Sequence, residues 1–391
     1  MKKDTRVIRA GLNKQRNAGA VNTPVVRTST VVFENMAAMR DATAPAIKTR
    51  GKKLSYGRRG TPTHWTLQEA ITNLAGGADT VLTPSGLSAC TVAIIGCVKQ
   101  GDHILVTDSV YEPTRNFCSG FLKNFGVDVG YFNPLIGADI ARLMKPNTTA
   151  IFCESPGSLT FEVQDIPAIA AVAHGAGAKV IVDNTWASPL FCRPLALGAD
   201  LSIEAGTKYI VGHSDVLIGT ITGTEEAIIG VQKAGGALGI AVSPDDAYLA
   251  TRGLRTLAVR LNRHQESALK VARWLQSRPE IKRVLYPALP EDPGHSLWRR
   301  DFEGASGLLG VVFKRTSHPA VTAMIDGMEL FPLGFSWGGF ESLIAPATPL
   351  RTDVPWSEPV PGIRLHIGLE DVDDLMADLD KGLARFRAAL D

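Results

Sequence analysis

The stretch KVIVDNTWASPLFCRPLALGADLSIEAGTKYIVGHSD, residues 179–215, decides the reading of this chain. It opens on a short apolar, β-branched run that ends at Asp183. A second apolar run, Leu201 to Ile203, leads into Gly206, Thr207 and Lys208. Both read as strands, and each delivers one ionisable residue at its end. In an open parallel sheet the carboxyl ends of the strands form the ligand crevice, so the acid and the lysine face one bound molecule. A pyridine cofactor needs that pair: a carboxylate to keep its ring nitrogen protonated and an amine to hold its aldehyde as a Schiff base. Taken singly, each residue has a plainer reading, Asp183 as a turn cap and Lys208 as a solvated lysine.

Working outward, the flanking chain alternates in the same way. Val81-Leu82, His103–Thr107, Val127–Phe132, Ala150–Cys153, Val180–Asp183, Leu201–Ile203 and Leu217–Ile221 are seven candidate strands separated by helix-length segments. That pattern predicts an α/β fold with a mostly parallel seven-stranded sheet and right-handed crossovers. A helix over Thr66–Leu74 precedes it, stopped by Gly76-Gly77. Beyond Thr224, Gly235, Gly236 and Gly239 read as a loop, and Ser243-Pro244 opens a helix or helix pair running to about Gln276. Gly307–Lys314 and Gly362–Leu369 read as strands of a smaller α+β unit closed by an amphipathic helix, Asp371–Leu390. The division is therefore 1–60 as an arm outside the core, 61–243 as the large domain and 244–391 as the C-terminal domain.

Composition excludes several classes. The 391 residues carry 41 basic and 39 acidic side chains, a formal net charge of +2, which gives no reason to expect nucleic acid or an acidic membrane as partner. The five cysteines are scattered and lack a C-x-x-C pair, so neither a metal cluster nor a disulfide framework is expected. The first twenty residues do not resemble a signal peptide, and the longest apolar run, around Thr91–Val98, is too short for a bilayer. A cytoplasmic protein acting on a small molecule is the expectation.

Other segments add candidate site residues. In TPSGLSACTVAIIG, from Thr83, Ser85, Gly86, Leu87 and Ser88 lead from strand into helix. Free N–H groups there, with a glycine for close approach, make either a phosphate seat or an ordinary capped turn. Tyr111 lies beyond His103–Thr107 on the same crevice edge, placed to stack on a flat ring or to pack. The basic segment RGKKLSYGRRG, residues 50–60, reads on its own as a solvated loop. GFSWG, Gly334–Gly338, matches a hydrolase nucleophile elbow, but it follows Phe331-Pro332 in the second domain rather than a central strand. Gly175 and Gly177 form a fragment of a dinucleotide fingerprint, but they precede a strand instead of following one.

Nine motifs in order carry a resemblance: YGRRGTPT from Tyr56, TPSGLSA from Thr83, YEPTRNFC from Tyr111, ESPGS from Glu154, VDNTWASP from Val182, GTKYIVGHSD from Gly206, RGLRTL from Arg252, SWGGFESL from Ser336 and RLHIGLED from Arg364. Over nearly its whole length the chain resembles the Cys/Met-metabolism family of pyridoxal 5'-phosphate enzymes, of aminotransferase fold type I. The resemblance implies that Lys208 holds the cofactor aldehyde, Asp183 pairs with the ring nitrogen and Tyr111 stacks on the ring. It implies that the backbone N–H groups of Gly86 and Leu87 and the Thr207 hydroxyl bind the phosphate. Tyr56 and Arg58 would reach the phosphate of a neighbouring subunit, reversing the bland reading of the basic segment and implying a homo-oligomer, a dimer of dimers. Arg364 would hold the substrate α-carboxylate, with Ser336 and Trp337 lining its pocket, and Lys208 and Tyr111 would carry the proton transfers. SWGGFESL and YEPTRNFC favour the β-eliminating branch acting on a sulfur amino acid. A γ-acting relative and a non-enzymatic regulator are the alternatives. Two positions depart from the pattern: Ala205 stands where many relatives have serine, and Phe335 where related lyases can carry tyrosine.

Overall fold

The computed structural model describes residues 1–43 and 53–390. Positions 50–52 of the basic segment lie outside the described residues. Seven strands, β1 (Asp79–Thr83), β2 (His103–Thr107), β3 (Asp128–Phe132), β4 (Thr148–Glu154), β5 (Lys179–Asp183), β6 (Leu201–Glu204) and β7 (Gly219–Gly223), form one sheet in the order β1-β7-β6-β5-β4-β2-β3. Only β7 runs against its neighbours, β1 and β6. The apolar runs of β2 and β5 are continuous rather than alternating because helices cover both faces of this sheet, leaving β2 wholly buried and β5 nearly so. Threonine occupies the β1–β7 seam, where Thr80 and Thr222 share a hydrogen bond at 2.8 Å. After β2 the chain moves outward to β3 and then returns to place β4 on the other side of β2. That reversal leaves a crevice beyond the carboxyl ends of β2 and β4.

The smaller sheet contains β8 (Ile281–Leu285), β9 (Leu308–Phe313), β10 (Leu343–Ala347) and β11 (Gly362–His366), antiparallel in the order β10-β11-β9-β8. The helix pair Pro244–Leu254 and Leu257–Gln276 and the closing helix Val372–Leu390 accompany it. Phe313 and Phe386 stack at 4.2 Å between sheet and closing helix. Sequence patterning found β9 and β11 but not β8 or β10.

Two further readings need correction. Gly235 and Gly236 lie inside a helix, Ala227–Ala237, and only Gly239 adopts the left-handed φ of a stop. Two of the first ten residues, Val7 and Ala10, also belong to the core. Val7, on the helix Lys3–Arg9, is fully buried, and Arg255 donates to the carbonyls of Val7, Ile8 and Ala10. Among the described residues no helix is long and apolar enough to cross a membrane.

Candidate functional site

Lys208 follows β6 in a turn whose backbone N–H bonds the Ala205 carbonyl at 3.0 Å. Its Nζ donates to Ser336 Oγ at 2.5 Å and lies 5.0 Å from the centre of the Trp337 ring. Burial, reinforced by the positive charge of Arg364, lowers its pKa to about 8, while Asp183 pulls the other way. A desolvated amine of this kind spends a usable fraction of time as the free nucleophile near neutral pH. The turn across from it is shaped to fit. Gly338 has φ +87°, and a Cβ there would fall 2.9 Å from both Cα and Cβ of Lys208.

Asp183 ends β5 and is buried. Its Oδ1 accepts from the backbone N–H of Thr185 at 2.9 Å and from the Thr185 hydroxyl, and Cys90 Sγ lies 3.6 Å from Oδ2. Burial raises its pKa, opposed by these donors and by Lys208. A carboxylate held this way, in an apolar surround, gains most from a cationic N–H partner. Thr185 Oγ also accepts from the Ala205 N–H at 2.8 Å, which ties β5 to the lysine turn.

Gly86 begins the helix Gly86–Ile95, and Ser85 caps it by accepting from the Ser88 N–H at 3.1 Å. A Cβ on Gly86 would lie 2.4 Å from Ala205 Cβ, so Ala205 faces this helix start directly. The first amides of this helix, at Gly86 and Leu87, suit a phosphate. Thr207 is engaged locally: its hydroxyl donates to the Ile218 carbonyl at 3.2 Å and accepts from the Ile218 N–H at 3.0 Å. One lone pair remains, so the hydroxyl must turn from Ile218 to donate to an anion.

Tyr111 lies beyond β2, 46% exposed as a residue and within electrostatic reach of Asp183 and Arg364. Arg364, on β11, reaches the Ser336 carbonyl with Nη2 at 3.1 Å, leaving its other donors for a carboxylate. Tyr111, Phe335 and Arg364 line a cleft of about 340 Å³ at the β2–β4 crevice. Three of its other charged residues, Asp108, Arg115 and Arg351, are committed to partners. Asp108 accepts from Arg115 at 2.6 Å and from the backbone N–H groups of Thr352, Asp353 and Val354, and Arg351 bonds Glu162 and Thr160. These bonds pin one lip of the cleft, from the smaller unit, onto the larger sheet.

Lys208, Asp183, Tyr111, Gly86, Ser336, Trp337 and Arg364 are thus gathered at one crevice. Tyr56 and Arg58 are not among them. Tyr56 is 44% exposed, and Arg58 extends to the Gly236 carbonyl at 3.5 Å, at the end of another helix. Sequence reasoning gave no task to Glu154, whose motif it had noted, or to Asp108. Both act through neighbours remote in sequence.

The residues present fit a pyridine phosphate group: an amine for its aldehyde, an acid for its ring nitrogen, a helix start and a glycine cradle for its phosphate. The model of the Cys/Met metabolism PLP-dependent enzymes matches residues 4–384. The chain belongs to that family. It is 45% identical to the cystathionine beta-lyase MetC of Escherichia coli, covering 98% of both chains, and 44% identical to the cystathionine beta-lyase of Salmonella typhimurium, again covering 98% of both. Among solved structures, it resembles a cystathionine gamma synthase from Xanthomonas oryzae pv. oryzae, in complex with aminoacrylate and cysteine. The TM-score is 0.90 at 31% identity, over 100% of this chain and 99% of that one. The expected fold, an α/β fold type I enzyme, and the expected cofactor stand on these findings.

Proposed function

We propose that this chain is a PLP-dependent carbon–sulfur lyase that cleaves L-cystathionine by β-elimination, giving homocysteine, pyruvate and ammonia. The observation that carries the reading is the convergence on Lys208. Its amine sits between the acid that suits a pyridine nitrogen and the arginine that suits a substrate carboxylate, in a chain 45% identical to a cystathionine beta-lyase.

Bound PLP supplies the electron sink for the charge left on the substrate α-carbon. Arg364 grips the α-carboxylate with its planar fork, which turns the Cα–H bond toward Lys208. Lys208 Nζ, oriented by Ser336 Oγ, accepts that proton as general base. The C–S bond then breaks with its electron pair leaving on sulfur, and Lys208 or Tyr111 protonates the departing thiolate. The three-carbon fragment takes up water to give pyruvate and ammonia. Asp183 would pair with the ring nitrogen, while Gly86, Leu87 and Thr207 would hold the phosphate. Trp337 lines the substrate pocket. Tyr56 and Arg58 serve the phosphate of a neighbouring copy, so the working unit is a homo-oligomer, a dimer of dimers. The thiols of Cys90, Cys118, Cys153 and Cys192, unpaired and buried, suit a reducing cytoplasm.

Incubating the loaded protein with cystathionine tests the reading. Pyruvate with homocysteine is the expected product pair, and 2-oxobutyrate with cysteine would replace it by γ-elimination. Lys208→Ala is expected to lower turnover on the order of 10²-fold to 10⁴-fold, and normal turnover would remove the lysine from the mechanism.

A further inference from the structure

Glu154 is an acid at the carboxyl edge of the sheet that the mechanism above leaves without a task. It ends β4 in register with Asp183 on β5, so the two side chains leave the same face of the sheet. Its Oε2 accepts the backbone N–H of Tyr111 at 2.6 Å. That bond spans the crevice at the reversal of strand order, from the end of β4 to the loop beyond β2. Glu204, at the end of β6, is the useful contrast. Its carboxylate takes Ser202, Asn184 and Thr220, three side chains of the sheet and its loops, and braces the fold alone.

Tyr111 needs a backbone anchor because the residue is half exposed, so packing covers only part of it. Its carbonyl accepts the Arg115 N–H at 3.0 Å in the following helical turn, and its N–H goes to Glu154. With both peptide groups held, the ring can swing only about its own side-chain torsions.

We propose that Glu154 is a positioning residue of the reaction: by holding the Tyr111 N–H it keeps the phenol ring against the face of the bound cofactor, in register with Asp183. The proposal rests on the PLP reading given above. Burial, with Asp183 beside it, pushes the Glu154 carboxyl well above the usual carboxylate range. That direction favours the neutral form of the acid. A neutral acceptor is all the geometry asks of position 154, and glutamine supplies one.

The test compares Glu154→Gln, Glu154→Asp and Glu154→Ala as holoenzymes, by kcat and KM, by visible circular dichroism of the bound cofactor without substrate, and by melting temperature. Glu154→Gln is expected to keep kcat within about threefold and the dichroism unchanged. Glu154→Ala and Glu154→Asp, which remove or withdraw the acceptor, are expected to lose dichroism and to lower kcat on the order of tenfold or more, with KM little changed. If Glu154→Gln is as damaged as Glu154→Ala, a charge is required and the proposal falls. If Glu154→Ala melts lower but its holoenzyme keeps the parental dichroism and kcat, the role is structural and the proposal also falls. Should Glu154→Ala fail to fold, the other pair decides: dichroism kept by aspartate and lost by glutamine overturns it. Because the dichroism is read without substrate, a parental enzyme that forms no pyruvate from cystathionine sinks the substrate reading and leaves this one to be judged separately.

Discussion

Replacing Gly338 by alanine separates backbone strain from contact with Lys208. Gly338 has φ +87°, and an added Cβ would lie 2.9 Å from Cα and Cβ of Lys208 and 3.0 Å from its carbonyl carbon. Gly101 is a matched control, with φ +88° and nothing within 4 Å of its added Cβ. A left-handed φ costs an alanine about 1–2 kcal/mol, so Gly101→Ala is expected to lose that much stability and no activity. Gly338→Ala carries the same strain plus an overpacking cost of about 1–3 kcal/mol, for a total near 2–5 kcal/mol. Relief comes by pushing the Ser336–Gly338 turn away from Lys208. That motion breaks the bond from Nζ to Ser336 Oγ and shifts the carbonyl that steadies Arg364. A displacement of this size at a reacting amine is expected to cost on the order of 10²-fold in kcat/KM. Urea denaturation at fixed protein and cofactor concentration gives the stabilities, and steady-state turnover gives the rest. Equal stability losses in the two variants, with full activity in Gly338→Ala, would refute the close fit.

Three shorter tests address other parts of the molecule. Burial lowers the pKa of His264 to about 4, so between that pH and its unfolded value near 6.5 the unfolded chain binds the extra proton. Stability therefore falls as pH drops through this window, by up to about 3 kcal/mol, and His264→Asn should flatten urea-unfolding curves compared at pH 7 and pH 5; an unchanged slope counts against it. Burial works to raise the Asp108 pKa, but Arg115 and the amides of Asp353 and Thr352 outweigh it and hold the carboxyl below its ordinary value. Asp108→Asn strands the buried Arg115 charge, at a cost of about 3–5 kcal/mol, and should raise KM more than it lowers kcat by loosening the cleft lip; an unaltered KM would dismiss the latch. Ala205→Ser places a hydroxyl at the helix start facing Gly86, and one added phosphate bond of about 1 kcal/mol should tighten PLP binding roughly fivefold in a cofactor titration, with no change arguing that the phosphate lies elsewhere.

The large sheet was legible because its strands are short apolar runs buried on both faces, and such runs stand out between helices. The smaller sheet was half legible. β8, IKRVL, places Lys282 and Arg283 in its middle, and β10, LIAPA, contains Pro346. Both are edge strands of their sheet, where charge and proline are tolerated and where patterning is weakest. The burial of Val7 was hidden for a different reason. A seven-residue helix offers no sustained period, and its burial depends on Arg255, about 250 positions away in the chain, taking its last carbonyls.

The site divides along the same line. Asp183 and Lys208 were readable because each ends a strand, and topology alone brings strand ends together. Glu154 and Asp108 also end or follow strands, yet their partners are backbone N–H groups of Tyr111 and of Thr352 to Val354, which no residue type announces. The GFSWG motif shows how far identity alone falls short. Its serine and glycines satisfy an elbow pattern, but Ser336 holds φ +78°, a strained conformation for a residue with a Cβ, and sets its hydroxyl against Lys208 rather than against a histidine. His366 supports the turn from behind through Nε2, at 3.1 Å from the Gly339 carbonyl. Strain at Ser336, crowding at Gly338 and this buried imidazole all act on one four-residue turn whose front face meets the lysine. The turn is therefore the element whose small displacements should be felt first in turnover, ahead of any change in the sheet that carries Lys208.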